Sequence, residues 1–284
     1  MNSLRYILVC ALCFCPVLAG MANDNIRIHD FELSAGAALT GLRTNDWTPS
    51  GSTAVLGVID FAWQYRQGNN LWGVSLNTAF GQEYYTTISD PPRPSQQGHA
   101  QLDMRWLRRI LMKTRSVNIW LGLYGRTETI IQYPILHQQF YYNSYLLTRP
   151  DYRIENSIGI ALQTEYVFRN LSLTAALDLP LLMFGRFEYK AIPYGDLIRL
   201  QKENIMRAAW KCISPNTVAG IWNYTHPIAQ VKIAYCVKTS PTMRTYLHIY
   251  YEPQYLYYNN HSAYTEYLRH SIGIGCTFRL NGAE

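Results

Sequence analysis

An alternation of apolar with polar or small residues, repeated along most of the chain, narrows the fold more than any other feature. Successive side chains of a strand point to opposite faces, so period two marks a strand with one apolar face. In 71–81, Trp72, Val74, Leu76, Thr78 and Phe80 alternate with Gly73, Ser75, Asn77, Ala79 and Gly81. In 99–111, Ala100, Leu102, Met104 and Trp106 alternate with Gln101, Asp103, Arg105, Leu107 and Arg109. Leu268, His270, Ile272, Ile274, Cys276, Phe278 and Leu280 form the apolar row of the last segment.

Ten such segments are read: 31–42, 54–66, 71–81, 99–111, 116–128, 155–168, 171–182, 228–238, 243–251 and 268–280. Short turns at 67–70, 113–115, 169–170 and 239–242 separate some of them. Longer connections at 43–53, 82–98, 129–154, 183–227 and 252–267 separate the others. With antiparallel strands, this puts every short turn at one end, together with both termini. The expected fold is all-β: a transmembrane antiparallel up-and-down barrel of about ten strands, or twelve if 183–227 hides a hairpin.

A soluble β-sandwich also alternates. Its strands usually run about five or six residues, whereas these run nine to fourteen; about nine to eleven tilted residues cross a bilayer. The rings of the apolar face also collect at one height. Phe31, Trp63, Tyr65, Trp72, Trp106, Tyr166, Phe168 and Phe278 all fall near the short-turn end. A soluble core has no reason to sort rings by height, but a membrane interface does, so these eight are read as an aromatic girdle. Composition agrees: 14% of residues are aromatic and 15% charged, with 23 tyrosines. That balance excludes a disordered chain or a coiled coil.

Residues 1–22 read as a secretory signal peptide. Arg5 precedes an apolar run from Ile7 to Ala19, and Gly20-Met21-Ala22 offers small residues for cleavage. Residues 23–284 are then one barrel domain, whose cysteines, Cys212, Cys236 and Cys276, are too few for a disulfide framework. The net charge of +6 comes without a Lys/Arg block, which argues against nucleic acid as a partner.

Signal sequence, amphipathic strands and a closing strand ending Cys276-Thr277-Phe278-Arg279-Leu280 together resemble the bacterial outer-membrane β-barrel proteins, over about residues 31–280. The resemblance implies a multi-pass location in the outer membrane of a Gram-negative cell. It implies contact with lipid and lipopolysaccharide, and handling by the barrel-insertion machinery, which reads an aromatic of the closing strand. It implies an architecture and no single activity.

Alternation sends Glu32, Asp60, Arg66, Asp103, Arg105, Arg109, Arg126, Glu128, Glu155, Glu165, Asp178, Lys232, Arg244, Arg269 and Arg279 inward. Such charges need partners in a narrow lumen, and Asp60, Asp103, Arg105, Arg109, Arg126 and Glu128 are expected to form the heart of an ion-pair network. Eight-stranded barrels are filled by side chains while sixteen-stranded ones hold a channel, so ten strands lie near the filled end.

Catalytic signals are weak. Asn223-Tyr224-Thr225-His226 is superficially similar to a segment of outer-membrane phospholipases, but Pro227 and Ile228 stand where their serine should follow. Omptin-like proteases carry paired acids and an Asp/His pair on their loops; His226 has no neighbouring Asp, and Asp90 no near acid. His261-Ser262 is an adjacency without defined geometry. All are read as solvated loop residues. No HExxH or CxxC spacing points to a metal, and no cofactor is expected.

The loops are the other candidate site. Asp90-Pro91-Pro92-Arg93-Pro94-Ser95 is a stiff tip; 138–145 and Tyr255–Asn260 are rich in Tyr and Asn, a composition suited to contact surfaces. Residues 196–211 break the alternation, fitting a short amphipathic helix or an extended loop. The leading expectation is a non-enzymatic surface or envelope-complex protein that contacts a ligand or partner through its loops. A narrow or gated solute channel and a membrane-embedded lipase or protease are the alternatives.

Overall fold

The computed structural model describes residues 27–44, 50–87, 93–114, 117–134, 151–186, 217–260 and 263–281. The signal segment 1–22, the tip Asp90–Pro92, the Tyr/Asn-rich 138–145 and the segment 196–211 lie outside them.

The chain forms β1 (Arg27–Thr44), β2 (Ser50–Gln67), β3 (Asn70–Thr87), β4 (Arg93–Thr114), β5 (Val117–Pro134), β6 (Asp151–Phe168) and β7 (Leu171–Arg186). Two short strands, β8 (Thr217–Gly220) and β9 (Tyr224–Thr225), precede β10 (Ile228–Thr239), β11 (Met243–Asn260) and β12 (Ala263–Asn281). Consecutive long strands pair antiparallel around the circle. The wall closes twice: β1 on β12, as at Ala35↔Ile274, and β7 on β10, as at Val231↔Ala175. The result is a closed barrel of ten strands, with β8 and β9 as extras rather than an eleventh and twelfth wall strand.

Apolar rows face out, as in Leu33 and Leu39 on β1, Leu102 and Met104 on β4, and Ile272 and Ile274 on β12, all exposed. The alternate row faces a lumen in which Asp103, Arg126, Glu128 and Arg269 are buried. Large inward rings fit because inward glycines make room for them. A Cβ on Gly273 would stand 2.5 Å from the Tyr250 ring, and one on Gly159 would stand 2.7 Å from the Tyr124 ring.

The strands outrun the segments read from the sequence, and several connections shrink accordingly. Those at 43–53, 82–98 and 252–267 reduce to 45–49, 88–92 and 261–262. Tyr255–Asn260, expected in a loop, is the end of β11, where Leu256 and Tyr258 are buried; Arg93–Ser95 begins β4. The physical reason is height. Eighteen residues at roughly 3.3 Å each, tilted by roughly 40°, stand about 45 Å tall, against an apolar band of about 25 Å. Above that band a strand need not show an apolar face, so its alternation fades while its pairing continues. Outward positions there are polar, as at Arg43, Gln82, Gln96 and Glu266.

The eighth wall strand, which β10 completes, is interrupted in its upper part. β8 descends along β7, with Gly220 opposite Leu182. Residues 221–223 then turn outward, and β9 resumes the descent on β11, with Tyr224 opposite Tyr258. Ala219 is buried, whereas Ile221, Trp222 and Asn223 are exposed. Strict alternation from Ala219 would put odd-numbered residues inside. The turn instead moves the inward face to Tyr224, His226 and Ile228, as a bulge re-aims the side chains that follow it.

Candidate functional site in the lumen

The lumen is filled with charge arranged in layers, counted from the end that carries the short turns and both Arg27 and Asn281. Lowest is a four-membered ring. Arg279 Nε donates to Asp30 at 2.8 Å and its Nη2 to Glu165 at 3.4 Å; Arg66 donates to Glu165 at 2.5 Å and to Asp30 at 3.3 Å. Above it, Lys232 Nζ lies 2.5 Å from Glu32, which also faces His248 Nε2 at 3.4 Å.

At mid-height, Arg126 bridges two strands, its Nε 2.6 Å from Asp103 and its Nη2 2.9 Å from Asp178. Arg105 meets the same Asp178 oxygen at 2.7 Å. Register explains the first pair, since Asp103 and Arg126 are direct cross-strand partners on β4 and β5. Asp60 accepts from Asn77 and from Tyr250 Oη. Arg109 takes a different course from the expected acid pairing. At the lower rim it donates to the Gly68 carbonyl, to Asn69 and to Asn118, and lies 5.3 Å from the Trp120 ring.

The upper layer was the least legible and is the most deeply buried. Glu128 Oε1 lies 3.2 Å from His99 Nε2 and 3.3 Å from Arg153 Nη2. The same Arg153 nitrogen lies 3.3 Å from Glu155 Oε2. His226 Nδ1 lies 2.9 Å from Glu155 Oε1 and 3.6 Å from Glu128 Oε2, and Tyr224 Oη donates to Glu155 Oε1. Arg269 donates to Asn77 at 2.9 Å, and its Nη1 lies 2.8 Å from His99 Nδ1. Glu128, Glu155 and His226 form the group, among the described residues, whose ligand atoms stand close enough to share one ion.

His226, read from the sequence as a solvated loop residue, is therefore corrected. It is fully buried, and the outward turn before it is what carries it inside. Its partners are carboxylates and the edge of the Tyr224 ring rather than a nucleophile. Buried Leu42, Ile130, Met183, Ala219, Leu256 and Tyr258 pack with Tyr224 and Tyr267 in one cluster beside this layer, with Ile130 opposite His99 and Arg153 in register.

Lower down the packing is looser. Two cavities with empty volumes of about 490 and 670 Å³, open solvent included, share Glu32, Ala62, Gln64 and Lys232 in their walls. Between them they run from the Asp30–Arg279 ring to Asp103 and Glu252.

On the outer face, the lower-end rings lie side by side. Phe31 is opposite both Trp63 and Phe278, and Tyr65 is opposite Trp72, which is opposite Trp106. Trp63 and Tyr65 stack at 6.3 Å, and Tyr65 and Trp72 at 5.5 Å. Tyr166 and Phe168 stand exposed at the lower end of β6.

This architecture is that of the bacterial outer-membrane β-barrels. The solved structures it is similar to include the outer membrane protease OmpT from Escherichia coli, with a TM-score of 0.55 at 11% identity over 93% of this chain and 99% of that one. They also include the transport unit of the E. coli autotransporter AIDA-I (TM-score 0.40, 8% identity, 90% and 93% covered) and Neisserial surface protein A (TM-score 0.30, 10% identity, 89% and 97% covered). No protein-family model and no curated protein matches the sequence. At these identities the likeness is one of fold.

Proposed function

We propose that the protein is a closed outer-membrane barrel that raises a polar wall above the outer leaflet and presents its rim and loops to a surface ligand or an envelope partner. The observation that carries this reading is the lumen. Charge pairs occupy it at successive heights, and the apolar cluster around Leu256 and Met183 packs among the uppermost of them. Among the described residues, such packing is that of a filled lumen rather than of an open water path. The exposed apolar band, with rings at its lower edge and polar residues above, supports seating in an outer membrane, short turns toward the periplasm, with lipid and lipopolysaccharide around it. Insertion machinery acting on the closing strand belongs to the same reading.

The lower cavities are the one observation that favours a narrow or gated channel, since they would serve as its periplasmic vestibule. Conductance in planar bilayers separates the two. The purified protein should give no steady open level across a wide voltage range, with at most brief flickers. A stable conductance at low voltage would overturn the closed-barrel reading and put transport in its place.

A further inference from the structure

We infer that Glu128, Glu155 and His226 form a binding site for one divalent transition-metal ion of the zinc class, built into the upper lumen. Three independent strand segments bring the ligands together: β5, β6, and the stretch between β9 and β10 that the outward turn redirects. The spacing fits. A tetrahedral ion with bonds of about 2.0–2.2 Å to imidazole nitrogen and carboxylate oxygen holds its ligand atoms about 3.3–3.6 Å apart. His226 Nδ1 stands 2.9 Å from Glu155 Oε1 and 3.6 Å from Glu128 Oε2, and all three ligand atoms lie within 4.8 Å of one another.

A second observation is independent of the clustering. Glu128 Oε2 and His226 Nε2 are buried and make no hydrogen bond among the described residues. The other Glu128 oxygen is engaged by His99 and Arg153, so Oε2 is turned toward His226 at a separation too long for a hydrogen bond. A fully buried carboxylate oxygen without a donor is costly. An ion between it, Nδ1 and Glu155 Oε1 removes that cost. The two carboxylates share Arg153, which leaves their immediate charge one unit negative before any ion enters. The outer contacts of the two carboxylates are those a metal site uses: His99 and Arg153 orient Glu128, and Tyr224 orients Glu155. An imidazole with two carboxylates is a donor set for zinc and its neighbours rather than for calcium, which takes six to eight oxygens.

Because the ligand atoms are solvent-inaccessible, loading belongs to folding. The full chain is refolded from urea into detergent micelles with Zn²⁺ or with chelator, free metal is removed, and bound zinc is counted by mass spectrometry. The wild type should retain about one ion per barrel and melt at a higher temperature than the chelator-refolded sample. Glu128→Gln and His226→Gln should each lose the retained ion and the rise in melting temperature. Refolding the wild type with Co²⁺ should give the intense visible bands of a four-coordinate ion, a readout that does not depend on either variant folding. Zinc retained equally by both variants would assign it to other histidines and overturn the site. So would a wild type that retains none. A weak six-coordinate cobalt spectrum would do the same.

Discussion

The lower and upper halves of the lumen use the same residue types in opposite ways. Below mid-height, Arg66, Arg279, Glu32 and Lys232 keep 13–17% of their side-chain surface in contact with cavity solvent. From Arg126 at mid-height upward, Arg126, His99, Glu128, Glu155 and His226 keep none. A charge beside water can be resolvated when its partner leaves, whereas a charge sealed in side chains cannot. The lower half is therefore tolerant and the upper half exacting. Glu128 Oε2 and His226 Nε2, buried and without a hydrogen bond among the described residues, lie in the exacting half.

The largest effect should come from the centre of the sealed part. Arg126 neutralises Asp103 and Asp178 together and lies 5.1 Å from the Tyr124 ring. Arg126→Ala strands the buried Asp103, leaves Asp178 to Arg105 alone, and should cost about 3–5 kcal/mol in urea unfolding from micelles. Arg105 meets only Asp178 and is 18% exposed, so Arg105→Ala should cost less, roughly 1.5–3 kcal/mol. Equal costs for the two would mean that Arg126 is no more sealed from water than Arg105, and the contrast between the halves would fail.

This difference explains why the sequence disclosed the two halves unequally. Facing within the apolar band was legible because lipid enforces period two: once Leu102 and Met104 must face out, Asp103 and Arg105 must face in. Above the band nothing enforces it. Asn156 and Thr127 face outward and hydrogen-bond to each other at 3.0 Å, so the row beside Glu155 and Glu128 already looks polar on both faces. Arg153 and Glu252 fell just beyond the segments assigned from alternation, and Asp30 just before the first, although each continues its strand's inward parity. His226 was hidden by a turn that only the pairing of β8 with β7 reveals. A signal did exist: Tyr224, His226, Ile228, Gln230 and Lys232 form one unbroken even-numbered series, and extending β10 upward by two steps would have turned His226 inward.

A smaller effect tests the tolerant half. Lys232→Met removes the partner of Glu32, but that carboxylate borders both cavities and still faces His248. Water and the imidazole should absorb the change, leaving a loss on the order of 1 kcal/mol or less in the same urea assay. A loss as large as that of Arg126→Ala would mean that the lower cavities are dry, and the channel reading would lose its vestibule.

The smallest expected effect locates the boundary between the halves relative to the membrane. Trp222 is 89% exposed at the tip of the outward turn, beside exposed Ile221 and four residues before His226. Among the described residues it stands almost free of packing, so Trp222→Ala should change stability by no more than about 0.5 kcal/mol. Its position beside the top of the apolar band, where Leu181 and Leu182 give way to the polar wall, suits an indole seated at the lipid–water interface. The difference between wild-type and Trp222→Ala fluorescence in liposomes isolates this one of seven tryptophans. That signal should be quenched more by lipids brominated near the headgroup than by lipids brominated near the chain end. Strong quenching from the chain end would sink the His226 layer into the hydrocarbon core, where an unfilled carboxylate pair has no access to water from either side. Quenching by aqueous iodide alone would instead lift it clear of the membrane, so that the sealed half is a surface structure held shut by packing rather than by lipid.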